Sequence, residues 1–246
     1  MKSSRYSFGD DRRSSERMEL VAAAYEPVSR AFLGSEVGRV DGAAVDLGCG
    51  PGFSTRLIAE VCRPGRLFGV DRGDESLREA RTRNPGATFV VRDVLEQPLP
   101  GAPASLVYAR LLLAHLPDPV THVRAWHNDV APGGCVAVED LEDIEAPPGP
   151  LRDYEDLSAA MVRSAGGVMY AGRDLVDFGG SVRPVTVPAA VAARIYLFNV
   201  RRWAVESVPV DGAVLAELDR ALTELTAGRG SAGSVSWLVR QVVLRA

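Results

Sequence analysis

Lysine is all but missing from this 246-residue chain: Lys2 stands alone, and arginine makes up the rest of its 28 basic residues. Such usage reads as the coding bias of a GC-rich genome. Against 32 acidic residues the balance is a net charge of −4. No basic excess therefore points to nucleic acid or to an anionic membrane surface as a partner. Cysteine is scarce too. Cys49, Cys62 and Cys135 form neither a CxxC pair nor a zinc-type spacing, and an odd number without a framework fits a reducing cytoplasm. The three histidines are equally unpromising for metal, because His122 and His127 lie five residues apart and share no helix face. Long apolar runs are absent: "MKSSRYSFGDDRRSSER" has no core for a signal peptide, and no later stretch would span a bilayer. A cytoplasmic protein is expected.

What remains is a chain with 46% hydrophobic and 24% charged residues, ordinary for a globular domain. From about residue 40 to 140, short apolar runs alternate with helical stretches. "AAVDLG", "RLFGVD", "ATFVVRD", "ASLVYAR" and "GCVAVED" read as five strands, and "STRLIAEVC" and "DESLREAR" as helices between the first three. A helix starting near Asp118-Pro119 links the last two strands, with proline in the tolerated first turn. That alternation implies parallel strands with right-handed crossovers, hence an α/β, doubly wound sheet. Upstream, "SSERMELVAAAYEPVSRAFL" has a helical rhythm that Pro27 is expected to interrupt. Downstream, "EDIEAPPGP" is a turn-rich linker. "LRDYEDLSAAMVRSAG", "GRDLVDFG" and "DGAVLAELDRALTELTAG" read as helices, and "VRPVTVP" and "SWLVRQVVLRA" as strands.

The densest signal is "AAVDLGCGPGFST", residues 43 to 55, which crowds three glycines behind the first strand. In open α/β sheets ligands bind beyond the carboxyl ends of strands, where strand order reverses. Gly48, Gly50 and Gly52 are spaced G-x-G-x-G, unlike the G-x-G-x-x-G of dinucleotide sites, which disfavours a pyrophosphate. Asp71 ends the second strand roughly 20 residues on, where an acid accepts from ribose hydroxyls, although a helix-capping role is the alternative. Asp93 ends the third strand and is placed to accept from an adenine amino group. Thus Asp46, Asp71 and Asp93 end three successive strands around one glycine loop.

"VDLGCGPG", "GVD", "RDV", "LVYARLLLAHLPDP" and "APGGCVAVED", in that order, resemble the class I S-adenosylmethionine-dependent methyltransferases over about residues 40 to 140. The resemblance implies a mostly parallel, seven-stranded Rossmann-like sheet and S-adenosylmethionine as cofactor. It sets Asp46, Gly48, Cys49 and Gly50 around the methionine part of that cofactor. Asp71 and Arg72 fall to the ribose, Asp93 and Val94 to the adenine, and Arg110 and Leu111 to the floor beneath the sulfonium. Residues 131–134, "APGG", mark the turn before the fifth strand. By the same likeness, residues 1–38 form a helical lid in which Tyr6, Phe8 and Arg17 meet the cofactor, Arg17 pairing with its carboxylate. Residues 39–246 make the Rossmann-like domain, and 141–205 include a substrate-side cap.

Methyl transfer needs positioning and exclusion of water more than it needs acid–base chemistry. If the nucleophile must lose a proton, His115 is the candidate catalytic base, with Tyr25 behind it; packing is the competing role for both. Cys49 has no partner base, and its small size explains it. Tyr154, Met161, Tyr170, Tyr196, Phe198 and Trp203 are candidates for an aromatic wall around a small-molecule acceptor in biosynthesis. Two other readings are weighed. One is a binding module or cyclase that keeps the cofactor without methylating. The other, a nicotinamide oxidoreductase, is disfavoured by the glycine spacing and by the lack of a Tyr-x-x-x-Lys pair. A homodimer through the lid or the late strands is compatible with the pattern.

Overall fold

The computed structural model describes residues 12–164, 166–206, 208–230 and 233–246. Seven strands form one sheet: β1 (Ala43–Leu47), β2 (Arg66–Asp71), β3 (Thr88–Val91), β4 (Ala104–Arg110), β5 (Val130–Glu145), β6 (Ser181–Pro188) and β7 (Ser234–Arg245). Their order is β3-β2-β1-β4-β5-β7-β6. The first five are parallel, whereas β7 runs antiparallel to both β5 and β6. The expected doubly wound, mostly parallel sheet is what forms.

β1 is buried along its whole length, as a central parallel strand covered on both faces must be. Side-chain alternation divides its contacts between two layers. Val45 and Leu47 join Val107, Val136 and Trp126 on one face. Ala44 joins Leu106, Tyr108, Leu57 and Ile58 on the other. Helices α2 (Phe53–Val61) and α3 (Asp74–Arg83) follow β1 and β2, and α4 (Pro119–His127) links β4 to β5. A third cluster lies toward the late strands. There Tyr25 of α1 (Arg12–Phe32) packs with α5 (Pro150–Ser164), α6 (Ala189–Trp203), α7 (Gly212–Thr226) and β7.

Three elements differ from their sequence reading. α1 continues through Pro27 without a break. Proline removes one donor, toward the carbonyl of Ala23, and both residues sit on the exposed side, where that oxygen is open to solvent. β5 is longer than "GCVAVED" at both ends, because β4 pairs with it at Val130 and β7 pairs along it as far as Glu145↔Ser236. The expected turn at 131–134 survives inside it as an irregularity, with Gly133 at φ +77° and the β4 register jumping from Ala104↔Val130 to Leu106↔Cys135. Finally, α6 is a helix where the sequence pattern assigns none.

Register levels the functional end of the sheet. Leu47 is opposite both Val70 and Ala109, and Asp71 is opposite Val91. Gly48, Asp71 and Arg110 therefore leave their strands at one height, on either side of the β1/β4 boundary where strand order reverses.

Candidate active site

A cavity of about 510 Å³ opens at that boundary, a size typical of ligand sites. Its near end is built from the strand termini. Gly48, Cys49 and Gly50 line it. Both glycines have positive φ, +65° and +47°, which side chains rarely tolerate. A Cβ on Gly48 would lie 2.7 Å from Leu112 Cδ1, whereas one on Gly50 would meet no protein atom within 4 Å. Gly48 is thus required by the fold. Gly50 bares its backbone to open space in the cavity.

Asp71 steadies this loop from β2. Its Oδ2 accepts the Gly50 N–H (2.9 Å) and its Oδ1 the Gly73 N–H (2.8 Å), while the side chain lines the cavity. β4 ends in a sharp turn. Leu111 adopts φ +53°, a strained conformation for a leucine of the kind that collects at functional sites. The backbone N–H of Leu113 then reaches Asp140 Oδ2 at 2.8 Å, and Leu141 N–H donates to Asp140 Oδ1 at 2.9 Å. Asp140 ends the "GCVAVED" stretch and lines the cavity. Burial lifts its carboxyl to about 7, against those backbone donors.

Of the residues singled out in the sequence, Arg17, Gly48, Cys49, Gly50, Asp71, Arg72, Val94, Arg110, Leu111 and His115 all line this one cavity. Asp46 does not. It is 1% exposed, and its Oδ2 accepts the hydroxyls of Ser54 (2.7 Å) and Thr55 (2.6 Å) at the start of α2. The reason is the pleat: Asp46 shares a face with Ala44, toward α2, rather than following the loop outward. Asp93 is not in the lining either. Its Oδ1 caps Leu95 N–H (3.0 Å), and its Oδ2 lies 3.6 Å from Arg72 Nη1. Tyr6 and Phe8 lie outside the described residues. Burial, followed by the fields of Arg17 and Arg72, lowers His115 to about 4, so its imidazole is neutral and weakly basic at pH 7. Burial also raises the Cys49 thiol far above its ordinary value, which leaves it inert.

α1 covers one side. Ser15, Met18, Val21, Ala22 and Tyr25 face the cavity at helical spacing. The far end is aromatic. Tyr154 stacks on Tyr196 at 3.9 Å between ring centroids and on Trp203 at 5.6 Å, and Tyr25 stacks on Trp237 at 5.6 Å. Of the aromatic candidates, Tyr154 and Tyr196 reach the cavity, whereas Trp203 packs behind them and neither Tyr170 nor Phe198 lines it. Asp140, Glu155, Asn199 and Trp237 also line the cavity; Asp140 ends the "APGGCVAVED" stretch, which assigns it no role, and the other three lie in no motif. An acid at the end of a fifth strand was the one available signal.

Comparison with known proteins bears on this arrangement. A family model described as a methyltransferase domain matches residues 45–138. A trans-aconitate 2-methyltransferase of Methylobacterium nodulans is 38% identical over 103 residues, covering 42% of this chain and 40% of that protein. The one of Methylobacterium radiotolerans is 31% identical over 178 residues, covering 72% of this chain and 66% of its own. The chain thus spans less than two thirds of the length of each. Phosphoethanolamine N-methyltransferase 2 of Haemonchus contortus, solved with phosphomonomethylethanolamine and S-adenosylhomocysteine, matches all of this chain and 61% of its own, with a TM-score of 0.58. At 14% identity that likeness is one of fold. With the glycine loop, the strand-end acid and the sheet order in one place, the chain belongs to the class I S-adenosylmethionine-dependent methyltransferase family.

Proposed function

We propose that the chain transfers a methyl group from S-adenosylmethionine to a small organic acceptor, held at the far end of the same cavity. The observation that carries this reading is continuity. One cavity joins the bare Gly50 backbone and Asp71 to a far end walled by Leu111, Tyr154 and Tyr196. The fit to the cofactor is chemical. A carboxylate at the end of β2 suits paired ribose hydroxyls, and a glycine with open space beside it suits close approach of a ligand. Val94, buried beside the loop, suits an adenine face. When bound, the cofactor supplies an electrophilic methyl group on a sulfonium.

The chain's own residues supply place and dryness. Gly48, Gly50 and Asp71 fix the near ligand, with Arg17 opposite them on α1 as the partner of a carboxylate. α1 acts as a lid: its Met18, Val21 and Tyr25 keep water from the chamber, which strengthens every polar contact inside it. α5 and α6 form the acceptor wall. His115, neutral and weakly basic, serves as wall. Among the described residues no helix is long and apolar enough to cross a membrane, and a cytoplasmic biosynthetic role accords with the reading.

The test is calorimetric titration of the whole chain with S-adenosylmethionine, S-adenosylhomocysteine and NAD in turn. Micromolar binding of the first two and none of NAD is expected. Asp71→Ala removes both the loop clamp and the ribose acceptor. Charge-assisted hydrogen bonds of roughly 1.5–3 kcal/mol each then imply a loss of affinity of about ten- to a hundredfold or more. A folded chain that ignores both sulfur ligands overturns the reading.

A further inference from the structure

The acceptor end of the cavity holds a buried carboxyl group with no ion-pair partner among the described residues. Glu155 of α5 is 1% exposed and lines the chamber. Its Oε1 accepts the Tyr196 hydroxyl. Its Oε2 is sealed from bulk water and has no hydrogen-bond partner. Nearly one turn further along the same helix, Ser158 is as deeply buried, lines the same chamber, and leaves its hydroxyl equally unsatisfied. Arg152, one turn before Glu155, turns to Asp156 at 3.9 Å, and no ion pair to Glu155 forms among the described residues. α5 and α6 together present this one carboxyl group and no cation to the cavity. Its arginines, Arg17, Arg72 and Arg110, enter from α1 and from the strand ends.

Buried carboxylates are ordinarily paired, and buried polar atoms ordinarily bonded. Two adjacent exceptions facing one chamber describe the complement of a ligand. That ligand donates hydrogen bonds, brings positive charge, and carries an apolar body to lie along Tyr154, Tyr196, Ile195 and Trp237. Burial also lifts the Glu155 carboxyl to about 7, so a cation beside it restores the charged form.

We propose that the methyl acceptor is an amine with an apolar or aromatic body, its ammonium group seated against Glu155 Oε2 and Ser158 Oγ. Before transfer the ammonium gives one proton to the Glu155 carboxylate, which frees the nitrogen lone pair to take the methyl group, with S-adenosylhomocysteine as the leaving group. This rests on the methyl-transfer reading of the cavity and narrows its substrate class. It separates the chain from the relatives whose names specify trans-aconitate, a polycarboxylate that would set like charge against Glu155. Glu155 is here a specificity determinant.

Matched probes of opposite charge test it. The full chain, saturated with S-adenosylhomocysteine, is titrated calorimetrically with 2-phenylethylamine, phenylacetate and trans-aconitate. The amine is expected to bind at least tenfold more tightly than either carboxylate. Glu155→Gln, which keeps the shape and the Tyr196 contact, should weaken the amine tenfold or more while leaving or improving carboxylate binding. Ser158→Ala should weaken the amine severalfold, and it is the milder variant should Glu155→Gln not fold. A merely structural role would lower all three affinities together, and that result overturns the proposal. So does an amine that fails to bind, or carboxylates that bind as well, while S-adenosylhomocysteine binds normally. Failure of S-adenosylhomocysteine itself to bind brings down the methyl-transfer reading and this proposal with it.

Discussion

At the scale of single residues, three strand-end acids that look alike in sequence do three different things. Asp71 faces the cavity, Asp93 meets Arg72, and Asp46 points into the protein. Their positions at the ends of strands were legible, because apolar runs and glycines mark where strands stop. The direction of each side chain was not, because it depends on the pleat and on which helix lies above. Asp46 works as a clamp between β1 and α2, its one oxygen shared by Ser54 and Thr55 and the other left without a partner. Asp46→Ala strands two buried hydroxyls and opens a void, so a loss of about 2–4 kcal/mol is expected. Urea unfolding measures it, and Asp46→Asn should cost less. S-adenosylhomocysteine affinity should fall alongside, since the glycine loop loses its anchor on α2. An Asp46→Ala chain as stable as its parent would remove the clamp from the account.

Elements raise a different question, namely which of them close the cavity and which merely support it. α1 lays Ser15, Met18, Val21 and Tyr25 against the cavity and packs on α6, β6 and α2. α7 lies against α6 and α5 and contributes nothing to the lining. If α1 is the lid, ligand in the cavity adds contacts to its inner face and opposes its opening. Amide exchange across Leu20–Ser29 should therefore slow several-fold on saturation with S-adenosylhomocysteine, with α7 unchanged. Equal exchange with and without ligand would make α1 a fixed wall. The helical rhythm of α1 was legible through its apolar spacing, even though Pro27 suggested a break. α6 was not, although half the acceptor wall hangs on it. Its sequence, "AAVAARIYLFNVRRW", is buried on most sides, at Ala192, Ala193, Ile195, Tyr196, Leu197, Asn199, Val200 and Trp203. A helix enclosed that fully shows no clean polar stripe, and periodicity cannot separate it from a buried strand. Pro188, followed by fifteen residues free of proline and glycine, was the cue available.

For the whole molecule, burial of acids makes pH a stability variable with an unusual sign. Burial lifts Asp46 from 3.8 to about 6, Asp140 from 3.8 to about 7 and Glu155 from 4.5 to about 7. Each group therefore holds its proton more tightly folded than unfolded. The stabilisation this provides is full below the unfolded values, and it is lost as pH rises through the folded ones, at about 1.4 kcal/mol for each tenfold difference in proton affinity between the two states. Acids held low by arginine partners, such as Glu217 and Glu224, pull the other way, but they lie on the surface, where such pairs contribute little. The buried set decides the sign. The melting temperature should fall by several degrees between pH 5 and pH 8, where many proteins are near their maximum. Glu155→Gln and Asp140→Asn should each flatten that slope, because neither replacement titrates. Glu155→Gln should gain on its parent most at pH 8, whereas Asp140→Asn gives up one of two backbone acceptors and starts from a lower melting temperature. A melting temperature that climbs from pH 5 to pH 8 would mean that these carboxylates are already ionised in the folded protein. An amine bound at Glu155 should also move the curve. By favouring the ionised carboxylate it should stabilise the chain more at pH 8 than at pH 5, which links the acceptor site to the stability of the whole fold.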